Sequence, residues 1–418
     1  MKRLLMATTA LCLGAGTAAA DIALSGSAEM GVAGSKDDSV RFHTDIDVTF
    51  TLSGATDAGV TFGSAIDLDE VQDDTVMKGT PKQLVDDATA NDDDDGGIAV
   101  FMSQPQGFGT VTMGDTAGAI AWAVSDARGA GPGSIRDNHE HGGSSGNDGL
   151  DASHDNQILR WDRAIGSGFS MAASVELSDD ADGKPGGKTY DPILGVGGTY
   201  SMGMGVGTLG LGAGFQMGSW DHTMSGGLTG TQRAANAAAA AGADAPHPAA
   251  KLWDKGEVEG GAFGASVSLD FTNGGDGIKL VGDAGLMEAD GSMGGAAGVT
   301  DTADVEAMHM GLGLGYTVGA ISLGVNVGTK VTEHTHDNDF TAAAAGRTVL
   351  ETTVTGVGFS AAYNLGGGAE LQLGLGSSET EHDWTVGDGD NDASRGGLTG
   401  YDHSTDTNSW SLGVAFSF

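Results

Sequence analysis

The amino-acid sequence predicts an all-β fold, a transmembrane antiparallel β-barrel of sixteen strands. The first supporting observation is the end of the chain, where large apolar residues occupy every second position and small or polar residues stand between them. One face of this strand carries Trp410, Leu412, Val414, Phe416 and Phe418. A membrane strand needs this alternation because one face meets lipid and the other meets water. The second observation is the content of 74 glycines, which favours tight turns and argues against long helices.

Period-two alternation recurs in sixteen segments, most of them close to the length of about ten residues that a tilted membrane strand requires. The predicted strands cover residues 22–32, 40–52, 60–68, 98–102, 109–114, 157–162, 169–177, 194–200, 207–217, 263–271, 278–287, 308–316, 321–331, 354–365, 371–375 and 410–418. Residues 192–220 and 307–329 lack Lys, Arg, Asp and Glu and imitate membrane helices. Because apolar residues and glycines alternate within them, both are interpreted as β-hairpins.

The connections between these strands alternate in length and composition. Short glycine-rich turns, such as 166–168 and 366–368, alternate along much of the chain with long acidic loops. The long set covers residues 71–96, 115–155, 218–259 and 379–408. The alternation predicts a barrel with short periplasmic turns at one rim and long extracellular loops at the other.

The start of the chain predicts export. Lys2 and Arg3 precede an apolar run over residues 4–13, and three alanines end at Ala20. These are the parts of a signal peptide over residues 1–20, which leaves residues 21–418 as a single barrel domain. Cys12 is the only cysteine and is removed with the signal, so no disulfide is expected in the mature protein.

The charge of the chain restricts its partners. Without the predicted signal peptide, 17 basic residues stand against 57 acidic ones, a net charge of −40. Such a protein repels nucleic acid, because nucleic-acid binding needs a basic surface. The acidic excess favours cations as partners, although solubility in a saline environment explains it equally well.

Four segments carry a resemblance to a known family. They are residues 21–26, 107–115, 158–162 and 414–418, with the sequences DIALSG, GFGTVTMGD, ILRWD and VAFSF. Together they resemble the general diffusion porins of the Gram-negative outer membrane, and most closely the sixteen-stranded alphaproteobacterial type. The resemblance implies a homotrimer in the outer membrane, surrounded by lipid and lipopolysaccharide. It also implies a water-filled channel for the passive diffusion of small hydrophilic solutes and ions. The terminal aromatic, Phe418, is then the residue that the barrel-assembly machinery reads.

The resemblance further implies that the third loop, residues 115–155, folds into the lumen and narrows it. Its acidic candidates for the constriction are Asp115, Asp126, Asp137, Glu140, Asp148, Asp151 and Asp155. Alternation directs four basic residues to the inner wall of the barrel: Arg41, Arg160, Lys279 and Lys330. The chain departs here from the dense arginine cluster of the family, because its inward basic residues are few and scattered. Carboxylates along a narrow passage attract cations and repel anions, so a modest cation preference is expected.

Other motifs give weaker indications. Asp388, Asp390 and Asp392 are candidate calcium ligands, because hard cations take clustered carboxylate oxygens, but a solvated acidic loop is the simpler reading. No cofactor is required by the predicted function. The segment 142–146 matches the spacing of a nucleophile elbow but lies in a predicted loop, outside the strand-to-helix context that the motif needs. The sequence therefore contains no catalytic constellation, and an enzyme is not expected.

Three alternatives to a general diffusion channel remain. A substrate-specific pore would need an aromatic lining, for which only Phe101 and Trp161 are available. A barrel phospholipase would need a serine and a histidine facing lipid, whereas alternation directs Ser322 and His309 to the lumen. A plugged structural or adhesive barrel shares its outer face with an open channel, so alternation alone does not distinguish the two.

Overall fold

A computed structural model describes most of the predicted mature chain. The described residues are 21–36, 39–71, 97–136, 141, 147, 149–151, 153, 157–177, 191–223, 255–272, 275–294, 300–338, 346–388 and 398–418. The predicted signal peptide lies outside them, so the division of the chain at Ala20 stays a prediction.

The described residues form sixteen β-strands in one closed antiparallel barrel. The strands are β1 Asp21–Ser35, β2 Arg41–Ala55, β3 Thr61–Val71, β4 Gly97–Gln104, β5 Gly109–Asp115, β6 Gln157–Gly166, β7 Phe169–Glu176, β8 Ile193–Gly203, β9 Thr208–Thr223, β10 Lys255–Asp270, β11 Gly277–Gly294, β12 Thr300–Val318, β13 Ile321–Asn338, β14 Gly346–Gly366, β15 Ala369–Asp388 and β16 Leu398–Ser417. Each strand pairs with its neighbours in the chain, and β1 closes the ring by pairing with β16. The predicted sixteen-stranded barrel is confirmed.

The residues that alternate in the sequence form the two faces of the barrel. On β13, Leu323, Val325 and Val327 are 37%, 38% and 46% exposed on the outside. Gly324 and Asn326 stand between them and are buried on the inside. The outer face is therefore apolar and the inner face is small or polar, as a barrel in lipid requires.

Strand length differs strongly around the barrel. β5 has 7 residues, whereas β14 has 21 and β15 and β16 have 20 each. The sequence prediction located all sixteen strands but ended the later ones too early, as for 371–375 within β15. The reason is that outward positions above the apolar band become acidic, for example Glu379 and Glu381, while the backbone ladder continues. The predicted long loops 218–259 and 379–408 are therefore wrong at both ends, where their residues belong to strands.

Both stretches that imitate membrane helices are hairpins, as predicted. Residues 204–207 join β8 to β9, and a turn at Gly319 and Ala320 joins β12 to β13. Gly205 and Gly319 have φ values of +82° and +58°, which a glycine adopts without strain. The part of the chain that the structure describes has no helix long and apolar enough to span a membrane. Its two helical elements are α1, Ala119–Ala123, and a 3-10 helix, Ala127–Ala130.

Candidate functional site

The segment 116–136, which follows β5, lies against the inner face of the barrel. Its helix α1 contacts β7, β8, β9 and β10, and its 3-10 helix contacts β11, β12 and β13. Further along, the Ser134 hydroxyl accepts a hydrogen bond from Ser411 of β16 at 3.2 Å. The next residue, Ile135, is only 1% exposed. The segment therefore follows the wall from β7 to β16, ten of the sixteen strands, and we call it the inner loop.

Glycines on the inner face make room for the inner loop. A methyl group on Gly214 would come within 2.9 Å of the Cα of Ile120, and one on Gly324 within 2.5 Å of the Cα of Gly131. Side chains at these positions would therefore push the loop off the wall. Eight of the positions where the loop approaches in this way, all on β8 to β13, are called the glycine track: Gly195, Gly197, Gly212, Gly214, Gly264, Gly313, Gly315 and Gly324.

Apolar contacts also hold the inner loop on the wall. Ile120 of α1 and Leu150 are 0% and 2% exposed and belong to one buried cluster with wall residues. The wall residues of that cluster are Ile193, Trp220, Val258, Ala262, Ala289 and Val305. The barrel therefore has a small hydrophobic core inside its lumen, beside β8 to β12.

Polar side chains of the wall bind the backbone of the inner loop. Ser174 of β7 accepts a hydrogen bond from the Ala119 N–H at 3.0 Å, and Ser266 of β10 accepts one from Ser125 at 2.8 Å. Asp283 of β11 has a fully buried side chain, and its Oδ1 accepts from the Ala127 N–H at 2.7 Å. Its Oδ2 lies 2.7 Å from the Nε2 of His309 on β12. The buried carboxylate is thus satisfied on both oxygens.

A second set of contacts fixes residues 147–151. Gln216 of β9 accepts from the Leu150 N–H at 2.8 Å and donates to Oδ1 of Asp151 at 2.5 Å. The other oxygen of Asp151 accepts from the Gly118 N–H at 2.7 Å. Asn147 donates to the Ala284 carbonyl at 2.8 Å. Gln216, like Asp283, was not among the predicted site residues. Its signal in the sequence is a large polar side chain at an inward position between glycines.

The predicted acidic residues occupy different environments. Asp115 ends β5, with its carboxyl group beside Gly97. Asp126 is buried and caps the 3-10 helix, where both its oxygens accept from Arg128 at 3.1 to 3.3 Å. Asp151 joins the loop to Gln216 as described above. Four further candidates lie outside the described residues: Asp137, Glu140, Asp148 and Asp155. The assignment of this set to the channel lining stays a prediction.

Two of the predicted basic residues bind the inner loop. Arg160 of β6 donates to the Ala117 carbonyl at 2.6 Å and to the Thr116 hydroxyl at 3.2 Å, and it lies 3.3 Å from Asp162. Lys279 of β11 donates to the Gly129 carbonyl at 2.9 Å. Their charges therefore serve the attachment of the loop.

The remaining candidates are more dispersed. Arg41 begins β2, and Lys330 pairs with the buried His309 across the β12–β13 ladder, so both face inward. Asp388 is the last residue of β15, while Asp390 and Asp392 lie outside the described residues. Calcium binding by these three carboxylates stays a prediction.

An acidic surface lines the inner face of β1, β2 and β3. It comprises Glu29, Asp45, Asp47 and Asp67, and we call it the acidic wall. Ser27 donates to Asp47 at 2.8 Å and Thr49 donates to Asp67 at 3.0 Å. These hydroxyl groups orient the carboxylates without removing their charge. In a closed ring of sixteen strands β2 lies opposite β10, so the acidic wall is across the lumen from α1. Its signal in the sequence is an acidic residue at successive inward positions of β2.

A closed barrel with an apolar outside and a loop attached within its lumen defines the class of membrane channel proteins that cross a bilayer with strands. A profile of the Gram-negative porins matches residues 7–383, so the chain belongs to the Gram-negative porin family. Members of this family are outer-membrane channels for passive diffusion. The protein is therefore a channel of the outer membrane.

Solved structures agree on the fold. A porin refined at 1.8 Å resolution is 20% identical, with a TM-score of 0.53 over 95% of this chain and 100% of that chain. The outer-membrane protein OmpT of Vibrio cholerae, in its trimer form, is 10% identical, with a TM-score of 0.53 over 96% of this chain and 100% of that chain. A comparison with curated protein sequences finds no match.

Proposed function

We propose that this porin is an open, cation-preferring channel for small hydrophilic solutes and ions, narrowed by its inner loop. The observation that carries the proposal is that acidic and basic side chains inside the barrel have different partners. Carboxylates of the acidic wall accept hydrogen bonds from hydroxyl groups. By contrast, Arg160 and Lys279 donate to loop carbonyls, and Arg128 is paired with Asp126. Arg160 and Lys279 are thus engaged in holding the loop, and the acidic wall presents carboxylates to the passage beside it.

The physical basis of the preference is local concentration. Carboxylates on a low-dielectric wall raise the concentration of cations beside them and lower that of anions. Their field is screened over about 10 Å at an ionic strength of 0.1 M. Selectivity in a water-filled passage is therefore modest, and it decreases as the salt concentration rises.

The proposed assembly is a homotrimer surrounded by lipid and lipopolysaccharide, exported by the signal peptide over residues 1–20. The trimer form of the Vibrio cholerae protein supports the stoichiometry by analogy. The terminal strand supports recognition by the barrel-assembly machinery, because Leu412 and Phe418 are 43% and 81% exposed on its outer face. Cross-linking of the purified protein would measure the subunit number.

The decisive experiment is the conductance of purified, folded protein in a planar bilayer, with the reversal potential measured across a KCl gradient. We expect stepwise currents and a reversal potential that favours K⁺ over Cl⁻, with a smaller preference at higher salt. A reversal potential favouring Cl⁻ would contradict the cation preference. Absence of current from protein whose gel migration shifts on heating, as that of a folded barrel does, would contradict the open channel and favour a plugged barrel.

A further inference from the structure

Three side chains that can bind a metal ion meet on the inner face of β1 and β2. They are Glu29, His43 and Asp45, whose ligand atoms all lie within 4.8 Å of one another. The register explains their meeting: Glu29 pairs directly with Asp45, and His43 pairs with Gly31 at the next inward position. Because the two strands form a regular ladder, the three side chains project from rigid backbone rather than from a loop.

The imidazole of His43 is the group in this cluster that indicates a ligand. Its side chain is 7% exposed, and its Nε2 atom makes no hydrogen bond among the described residues. Oε2 of Glu29 lies 3.8 Å away, beyond hydrogen-bonding distance. A buried ring nitrogen without a hydrogen bond lowers stability, and a bound cation would remove that penalty.

The two carboxylates add a second reason for a cation. Glu29 and Asp45 are directly opposite across the ladder, and like charges in that arrangement destabilise a sheet. On the other side, Glu29 pairs with Ala415 of β16, so this neighbouring position carries no charge. Arg41 lies one inward position beyond His43 on β2.

We propose that Glu29, His43 and Asp45 bind a divalent transition-metal ion of the zinc type on the wall of the channel. One imidazole nitrogen and two carboxylate oxygens form the three-ligand set of an open zinc site, and water completes the tetrahedron. Such a site spaces its ligand atoms by about 3.4 Å, so a small rotation of the side chains would close the cluster around the ion. Calcium is the poorer fit, because it takes six to eight oxygen ligands and makes no use of an imidazole.

The test is calorimetric titration of the full-length mature barrel, folded in detergent, with Zn²⁺ in the presence of excess Ca²⁺. We expect one Zn²⁺ per chain at the tightest site. His43→Ala and Asp45→Asn should each weaken that site by at least about tenfold. Asp290→Asn is the control, because it removes the same charge from the outer face of β11 and should leave the affinity unchanged. The heat-dependent gel shift verifies that each variant is folded.

Two outcomes would overturn the proposal. If folded wild-type protein binds no Zn²⁺, then Arg41 rather than a metal compensates the carboxylates. If His43→Ala binds Zn²⁺ as tightly as the wild type, the ion is held by other histidines. Binding is measured without current, so a plugged barrel would fail the bilayer experiment and still bind the metal. Co²⁺ in place of Zn²⁺ adds a spectroscopic test, since loss of its visible absorption band in His43→Ala reports the nitrogen ligand directly.

Discussion

The two sides of the lumen use the same inward positions in opposite ways. The loop-bearing wall, β7 to β13, carries the glycine track and places buried groups such as Ser174 and Asp283 under the inner loop. The acidic wall on β1 to β3 instead carries carboxylates, with Asp47 and Asp67 bound by hydroxyl groups of neighbouring strands. On the first wall, small side chains and buried acceptors shape the passage. On the second wall, partly exposed carboxylates line the passage, and in the proposed function they select the ions that enter it.

The comparison teaches that charge inside a barrel does not by itself indicate a role in selectivity. Asp283 is fully buried and bound to backbone and imidazole, whereas Asp47 is half-buried and bound to a hydroxyl. Burial with complete hydrogen bonding makes the first a structural group. Partial exposure lets the second act on ions in the water beside it.

The largest expected effect comes from filling the glycine track. In Gly313→Val the new side chain would collide with the Ala127 carbonyl, and in Gly212→Val with that of Ala123. Each valine should cost the docked loop about 1–3 kcal/mol. The double variant should therefore conduct severalfold more current per channel. Gly282→Val is the control, because a methyl group there meets only ordinary contacts at 3.7 Å or more. An unchanged conductance in the double variant would contradict the role of the track.

A smaller effect is expected from Asp283→Ala, which leaves the Ala127 N–H without its acceptor. The docked loop should lose about 1–3 kcal/mol, since an unsatisfied buried donor carries that cost. Trypsin should then cut after Arg128 faster than in the wild type. Asp290→Ala removes an exposed carboxylate from the same strand and should leave the cleavage rate unchanged. Equal cleavage of all three proteins would show that Asp283 does not hold the loop.

Neutralising the acidic wall should change selectivity and leave the loop in position. The double variant Asp47→Asn, Asp67→Asn should shift the reversal potential in a KCl gradient towards zero. Each of these charges acts on a nearby ion by about 1 kcal/mol or less in water, so the permeability for cations should fall by about fivefold at most for each charge removed. Asp290→Asn is again the control, here because its charge lies on the outer face. An unchanged permeability ratio in the double variant would show that other residues determine the selectivity.

The smallest effect is expected when the buried ion pair of the inner loop is removed. Asp126→Asn combined with Arg128→Gln deletes two charges that cancel each other at 3.1 Å. The reversal potential should stay at the wild-type value, with conductance as the check that the loop is still docked. A shift as large as that of the acidic-wall variant would mean that paired charges also act on passing ions.

The sequence predicted the barrel better than it predicted the site. Alternation located every strand because one face of each strand meets lipid. Each lipid-facing position therefore carries an apolar residue, such as Leu412, that is visible in the sequence. Alternation underestimated the length of β15, because Glu379 and Glu381 end the apolar pattern while the backbone ladder continues to Asp388. Backbone pairing above the lipid leaves no apolar signal in the sequence.

The site was harder to predict because its contacts join residues far apart in the chain. Asp283 and Ala127 are separated by 156 positions, and Gln216 and Asp151 by 65. Alternation predicted an inward orientation for Arg160 and Lys279, and the structure shows both of them bonded to the inner loop. Alternation does not show which inward residues the loop covers, so the loop-binding role of both residues was visible only in the structure.

The end of the inner loop has a consequence for the order of assembly. Methyl groups on Gly31 of β1 and Gly413 of β16 would come within 2.5 and 2.6 Å of the Cδ1 of Ile135, so this side chain lies over the ladder that joins the first and last strands of the barrel. Every other ladder joins strands that are neighbours in the chain, and bringing distant segments together is the slow step in forming a topology. The contacts of Ile135 with both β1 and β16 are complete only when that last ladder has formed. Closure of the barrel therefore precedes the complete attachment of the inner loop at Ile135.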